Sequence, residues 1–236
     1  MWHALVLVVV VAAGCGLPRD VDGTLDRVRG DAVRVGVAEN APWTVVGADV
    51  PGAEVSGAEA ALVRDLAVRL DARVEWRRGS ESTLMAALTE GELDLVVGGL
   101  LDDAPWTEQA SLTRPYTTTR VVVATPEDVA APDDLAGVRV AAPAGSTESA
   151  ELADKDAAVV RVDDVADVHD MPVAVDDWRV VPLGLRSTRH VLHEEKHVWA
   201  VPLGENAWQV EVERFLADLS ADEVVRLLDE AQRSSR

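Results

Sequence analysis

Residues 91–116, GELDLVVGGLLDDAPWTEQASLTRPY, restrict the fold more than any other stretch of the chain. A short apolar run, Leu93 to Val97, is bounded by Gly91 and by the pair Gly98-Gly99, and it reads as a buried parallel strand. Two glycines at a strand's carboxyl end let backbone approach a ligand closely. In open α/β sheets that end is where ligands bind. Pro115-Tyr116 then leads through a threonine-rich segment into a second run, Arg120 to Thr125. The stretch predicts one wall of a ligand cleft, with Gly99 on it, and the start of a crossing into a second lobe.

The residues before it complete a sheet. Ala32 to Ala38 predicts a strand, followed by a loop Glu39-Asn40-Ala41-Pro42-Trp43 and a ragged hairpin or loop over Val45 to Val55. Ser56 predicts the cap of a helix reaching Leu70, with Leu62, Val63, Leu66 and Ala67 on one face. Arg73 to Arg77 is a second strand, and Ser80 or Ser82 opens a helix stopped near Gly91. This β-α-β-α-β order is the mark of a parallel α/β sheet. Past the crossing, a helical turn at Asp133-Asp134-Leu135 ends at Gly137. Strands are predicted at Val138 to Ala142, Ala157 to Val162, Pro172 to Val175 and His197 to Val201. Gly145-Ser146-Thr147-Glu148 has the chemistry of a helix N-terminus with free donors. Two amphipathic helices close the chain, one through Trp208, Val212 and Phe215, the other through Val224, Leu227 and Leu228.

At 236 residues the chain suits one large or two small domains. Its net charge of −20 excludes nucleic acid as a partner, because a phosphate backbone would be repelled. The same charge is weakly compatible with a cationic ligand. A single cysteine, Cys15, rules out an intrachain disulfide. It follows an apolar run from Ala4 to Ala13, too short to span a bilayer and suited to a signal-peptide core over residues 1–14. Ala12-Ala13-Gly14-Cys15 resembles the lipobox of bacterial lipoproteins, although Ala12 stands where Leu is usual and Met1-Trp2-His3 carries no Lys or Arg. Lipidation at Cys15 is the expectation, with residues 15–31 as anchor and tether.

The order of motifs resembles that of the family 3 solute-binding proteins, extracytoplasmic receptors of polar amino-acid ABC transporters. The resemblance rests on VRVGVAENAPW, VSGAEAALVRDLAVRLDA, LMAALTEGELDLVVGGL, RPYTTTRVVVATP, DDLAGVRVAAPAGSTESAEL and HVWAVPLGENAWQVEVERFL in that order. It implies an α/β chain with the two-lobed type II periplasmic-binding-protein fold. Each lobe would be a mostly parallel sheet flanked by helices, joined by two hinge strands. Residues 32–119 plus 194–236 would form lobe one and 120–193 a shortened lobe two. The implied protein is a monomeric, cofactor-free receptor that closes on a small molecule and is read by an ABC permease in the membrane.

Carried over residue by residue, the implied cleft is unusual. Trp106 stands where the family places the arginine that clamps the ligand's α-carboxylate, and indole is only a donor. Leu101 replaces a small hydroxyl residue, Asn40 a tyrosine and Ala58 a phenylalanine. Ser146-Thr147 matches the corner that holds an anionic group, and Asp176 or Asp177 matches the aspartate that pairs with the ligand ammonium. The expected ligand-binding set is therefore Glu39, Asn40, Trp43, Gly99, Leu101, Trp106, Ser146, Thr147, Asp176 and Asp177. It favours a cationic or amphipathic solute, with cation–π contact worth ~0.5–2 kcal/mol. The competing reading is that Trp43 and Trp106 only pack, and that either aspartate only caps the helix around Trp178.

Three other functions compete. His193-Glu194-Glu195-Lys196-His197 fits the H-E-x-x-H zinc signature, with His190 as a third imidazole. That reading needs a helix, whereas Val198 to Pro202 reads as a strand. Glu39, Asp102 and Asp103 are candidate acid–base groups for a dehydratase-like enzyme on the same fold. A lipid-anchored sensor without a transport role would share every feature above.

Overall fold

The structure is a computed structural model and describes residues 20–47 and 55–234. Cys15, the apolar run before it and the apex of the hairpin after Val46 lie outside the described residues. The elements in order are α1 (Thr24–Val28), β1 (Ala32–Val37), β2 (Val45–Val46), β3 (Val55–Ser56), α2 (Ala58–Arg69), β4 (Arg73–Arg78), α3 (Glu81–Thr89), β5 (Leu95–Val97), β6 (Ala110–Leu112) and β7 (Thr117–Pro126). They continue as β8 (Arg139–Pro143), α4 (Thr147–Asp154), β9 (Ala158–Val162), a 3₁₀ turn at Val165–Asp167, β10 (Val173–Asp176), α5 (Asp177–Val180), β11 (Leu185–His197), β12 (Ala200–Pro202), α6 (Asn206–Ala217) and α7 (Ala221–Ser234).

Two five-stranded sheets result, ordered β4-β1-β5-β12-β6 and β11-β7-β10-β8-β9, plus the short β2-β3 ribbon. Both sheets are mixed. In the first, β1 lies parallel to β4 and β5, while β12 is antiparallel to β5 and β6. In the second, β8 is parallel to β9 and β10, while β7 is antiparallel to β10 and β11. The β7–β11 ladder carries the chain between the sheets: Tyr116 N–H donates to the His197 carbonyl at 3.0 Å, and Val198 N–H to Leu100 at 2.9 Å.

The first sheet carries the larger apolar core. Val33, Val35, Val37, Leu62, Val63, Leu66, Trp199 and Trp208 are fully buried in one cluster with α2, α6 and α7. Each buried Val or Leu contributes roughly 1.5–3 kcal/mol. The two indoles are also satisfied: Trp208 Nε1 donates to the Asp94 carbonyl at 2.6 Å and Trp199 Nε1 to Glu59 at 3.1 Å. The Asp94 side chain, 1 % exposed, takes the guanidinium groups of Arg27 and Arg34. Those cations hold it below the usual carboxylate range against its burial.

Several local expectations need correction. Residues 20–31 do not form a tether throughout. Asp22 and Thr24 donate their amides to the buried Glu205 carboxylate at 2.8 and 2.9 Å, and Trp208 N–H donates to Asp20 at 2.9 Å. These contacts anchor α1 to the start of α6. Ser56 ends β3 and does not cap α2. The N-cap is Gly57 at φ 106°, where a Cβ would lie 2.6 Å from the Trp43 carbonyl. Asp133-Asp134-Leu135 is irregular backbone and no helix, and the turn falls on Ala136-Gly137. The strand expected at His197 to Val201 is split: His197 ends the thirteen-residue β11, and β12 starts at Ala200.

Candidate functional site

The carboxyl end of β5 meets the loop after β1. Asn40 and Thr44 exchange backbone hydrogen bonds of 3.0 Å, closing a five-residue loop. Ala58 N–H donates to the Pro42 carbonyl at 3.0 Å and Glu59 N–H to the Trp43 carbonyl at 2.8 Å. The loop thus satisfies the first amides of α2, which has no side-chain cap, and turns Trp43 inward. Trp43 is 7 % exposed, lies edge-on to Tyr116 and stacks on His197 with ring centroids 3.8 Å apart. Gly99, at φ 67°, lies under this group; a Cβ there would approach Asn40 Nδ2 to 2.5 Å and the Trp43 ring to 3.0 Å. Asn40 Nδ2 donates to the Gly98 carbonyl at 3.0 Å.

A carboxylate supports this end of the strand from behind. Glu59 Oε2 accepts from the amides of Gly98 and Gly99, both at 2.8 Å. Its Oε1 accepts from Tyr116 Oη at 2.7 Å and Trp199 Nε1 at 3.1 Å. Burial raises the Glu59 pKa, and these four donors oppose the rise.

β11 continues from this group into the second sheet. Strand alternation puts His193, Glu195 and His197 on one face, and the register sets them beside Val121, Thr119 and Thr117. His197 Nε2 lies 3.1 Å from Thr119 Oγ1 and 3.7 Å from Glu195. Burial pushes the His197 pKa down to about 4, with the Gly99 carbonyl opposing, and its Nδ1 has no hydrogen-bond partner. Glu195 is also 3.5 Å from His193 Nε2, while His193 Nδ1 pairs with Glu151 on α4 at 2.7 Å. Burial alone would lower His193; the Glu151 bond and the charges of Glu195 and Glu148 raise it.

Asp176 joins the same face. It pairs with Val121 across from His193, because β7 lies between β10 and β11. It occupies the N-cap position of α5 but makes no side-chain cap bond. Among the described residues its carboxylate accepts no hydrogen bond from another residue. Burial raises its pKa to about 6; Glu195 adds to the rise, Arg179 opposes it, and Glu148 adds again.

The ten residues expected at the site thus fall into groups. Asn40, Trp43 and Gly99 come together, with Leu101 bridged to His197 beside them. Ser146 caps α4, accepting from Ser149 N–H at 3.4 Å, and with exposed Thr147 begins the helix that carries Glu148 and Glu151 toward Asp176. Asp177 is the half-buried first residue of α5. Glu39 is exposed. Trp106 stands apart, donating to Glu81 at 3.1 Å and packing on the cluster of Leu84 and Met85.

The H-E-x-x-H zinc reading fails, because its residues lie in β11 and the helical i, i+4 face does not exist. No group of three metal-ligating side chains converges among the described residues. Glu59 has no role in the sequence reading, while Glu148 enters it only as part of a helix N-terminus and Glu195 and His197 only as part of the zinc motif. Glu59 is in helical phase with Leu62, Val63 and Leu66, a signal for burial, and the period-2 spacing of His193, Glu195 and His197 was hidden by the helical motif.

The family of bacterial extracellular solute-binding proteins, family 3, matches residues 33–231. Among solved structures, the unliganded open L-cystine solute receptor of Neisseria gonorrhoeae superposes with a TM-score of 0.68 at 20 % identity, covering 88 % of this chain and 95 % of that one. An ancestral cationic amino-acid solute-binding protein gives 0.67 at 20 % identity over 88 % and 98 % of the two chains. An ancestral amino-acid-binding protein described as a precursor of cyclohexadienyl dehydratase gives 0.53 at 20 % identity, again over 88 % and 98 %. No curated protein sequence matched the chain. No helix among the described residues is long and apolar enough to cross a membrane.

Proposed function

Because the chain belongs to the bacterial extracellular solute-binding proteins, family 3, we propose that it is the lipid-anchored receptor subunit of an ABC importer, capturing a small cationic solute. The lobes would be residues 32–119 with 194–236, and 120–193, hinged on β7 and β11. Contacts from both lobes would stabilise the closed form that a permease reads. The reading is that of a binding protein and not an enzyme: Asp102 and Asp103 are exposed loop carboxylates, and Lys196 approaches Asp102 to 3.8 Å.

The observation that carries the cationic reading is Asp176. Asp176 ends β10 half-buried and accepts no hydrogen bond from another described residue, and burial raises its pKa, so a positively charged ligand would favour its ionised form. Trp106 supplies no charge for an α-carboxylate, and Trp43 is held in an internal stack, so electrostatics carries this reading and an open aromatic face does not. Calorimetry of the purified full chain in detergent tests it: amine-bearing cations should bind at pH 7.5 and Asp176→Asn should abolish the binding. Tight binding of glutamate would overturn it. Cys15→Ala should move the protein from the membrane fraction to the soluble one if the anchor is real.

A further inference from the structure

We infer that the end of lobe one formed by α1, Val21 and Leu203 rests on the lipid surface, with the glycine end of β5 on the side away from the bilayer. The inference rests on the lipid-anchor reading of Cys15 above and deepens it by naming the face that the anchored chain presents to lipid.

The leash is short because the chain docks early. Asp20 pairs with Glu205 in an antiparallel bridge, and its carboxylate accepts from Leu25 N–H at 2.8 Å and Trp208 N–H at 2.9 Å. Buried Glu205 in turn accepts from the amides of Asp22 and Thr24. Asp20 is thereby part of the folded body. Four residues, Gly16 to Arg19, separate it from Cys15. Five Cα steps reach at most about 18 Å, whereas a chain free as far as Ala32 would reach about 60 Å. The docked segment thus keeps the body within about 18 Å of a lipid on Cys15.

The docked end is the far end of the first sheet from the candidate site. α1 leads into the amino end of β1, and β5 runs parallel to β1 with Gly98-Gly99 at its carboxyl end. β12 is antiparallel to β5, so Leu203 and Glu205, just past its carboxyl end, lie at the α1 end. The six residues of β1 set the glycine turn about 20 Å away. Beyond that turn come the β7–β11 crossing and the second sheet, so so short a leash cannot turn the chain over while Asp20 stays docked. Val21 and Leu203 flank Gly204 here and are 75 % and 53 % exposed. The cations nearby are engaged, Arg27 with Asp94 and Arg29 with Glu211, and Asp22 and Asp26 are exposed. The contact open to this end is therefore apolar. Two side chains hold a bilayer weakly by themselves, but a short leash keeps them beside it at high effective concentration.

Nitroxide labels on Val21→Cys, Leu203→Cys and, as the distant control, Val181→Cys test the inference. The chain is the full lipidated one, bound to phosphatidylcholine vesicles containing phosphatidylglycerol. All three positions are exposed, so the labels leave the core alone. Relaxation by a water-soluble nickel chelate should be severalfold weaker at Val21 and Leu203 than at Val181, and relaxation by lipid-soluble oxygen stronger. A long Gly-Ser insert between Gly16 and Leu17 should bring both labels back to the Val181 level, because effective concentration falls with leash length. Equal nickel access at all three positions of the vesicle-bound chain overturns the inference and leaves the lipid anchor standing. Protection that persists with the insert overturns the role of the leash. A chain whose Cys15 carries no lipid by mass spectrometry, or that separates from the vesicles on flotation, sinks both.

Discussion

The imidazole of His197 lies stacked on the indole of Trp43, centroids 3.8 Å apart and planes inclined by 30°. One ring comes from the loop after β1, the other from the last residue of the strand that leaves the second sheet. The stack therefore fastens the glycine end of β5 to the crossing, and it does so with a histidine kept neutral.

That neutrality has a pH consequence. His197 falls from 6.5 to about 4 on folding, so its favourable contribution is complete above pH 6.5 and is lost as pH falls through 4. The loss amounts to at most about 3 kcal/mol. His197→Phe keeps an aromatic ring in the stack and removes the orphaned Nδ1. Urea unfolding of this variant should show less loss of stability between pH 6.5 and 4 than the wild type. An identical acid limb in both proteins would rule the titration out.

Asp176 acts with the opposite sign. Its pKa rises from 3.8 to about 6 in the folded chain, so the contribution is present below pH 3.8 and lost as pH rises through 6. Asp176→Asn should therefore stabilise the ligand-free protein at pH 7.5, by no more than about 3 kcal/mol, and should unmask the His197 slope. Cation affinity should weaken on acidification from pH 7.5 to 5, as protons compete for the carboxylate. Melting temperatures at the two pH values, with and without an amine-bearing cation such as n-butylamine, check both statements. A less stable Asp176→Asn at pH 7.5 would count against a cost from burying the Asp176 charge beside Glu195.

Glu59 is the group that shapes the end of β5. Gln in its place could still accept at one oxygen, but its amide would face donors at the other: either Gly98 and Gly99, or Tyr116 and Trp199. Unpaired buried donors cost about 1–3 kcal/mol each. Glu59→Gln should lose roughly that much in chemical denaturation, and Glu59→Ala more. Protection of the Gly98 and Gly99 amides from hydrogen exchange should drop in both variants. Unchanged protection would show that the backbone holds its shape without the carboxylate.

The fold was legible where local pattern and packing agree. The β-α-β-α-β order and the Gly98-Gly99 turn follow from short apolar runs bounded by glycine, and the structure places β1, α2, β4, α3 and β5 on them. β11 was hardly legible, because its thirteen residues alternate polar side chains that serve the crossing and the face of Asp176, with no apolar stripe to announce a strand. Helical caps made by distant backbone, such as the Pro42 and Trp43 carbonyls on α2, leave no local mark either, and Ser56 drew the expectation instead. Trp43 shows the same limit: its position beside the glycine turn could be read, but its inward stack depends on His197, 154 positions away along the chain.

Trp178 offers a test of how the second sheet is held to the first. It lies on α5, directly after β10, yet it is buried in the same apolar cluster as Val224, Leu227 and Leu228 of α7. Its neighbours Val181 and Pro182 are exposed, and among the described residues 120–193 Trp178 is the buried side chain that joins this cluster. Removing it leaves a cavity that neither helix can fill, because α7 is fixed by its packing on α2 and α5 has only four residues. Trp178→Ala should cost about 3–5 kcal/mol in urea unfolding, and Trp178→Phe distinctly less. The loss should also loosen the sheets relative to each other, read as an increased radius of gyration in small-angle scattering of the folded variant. A change below about 1 kcal/mol, within the range of an ordinary surface substitution, would mean that the β7–β11 ladder alone sets the arrangement.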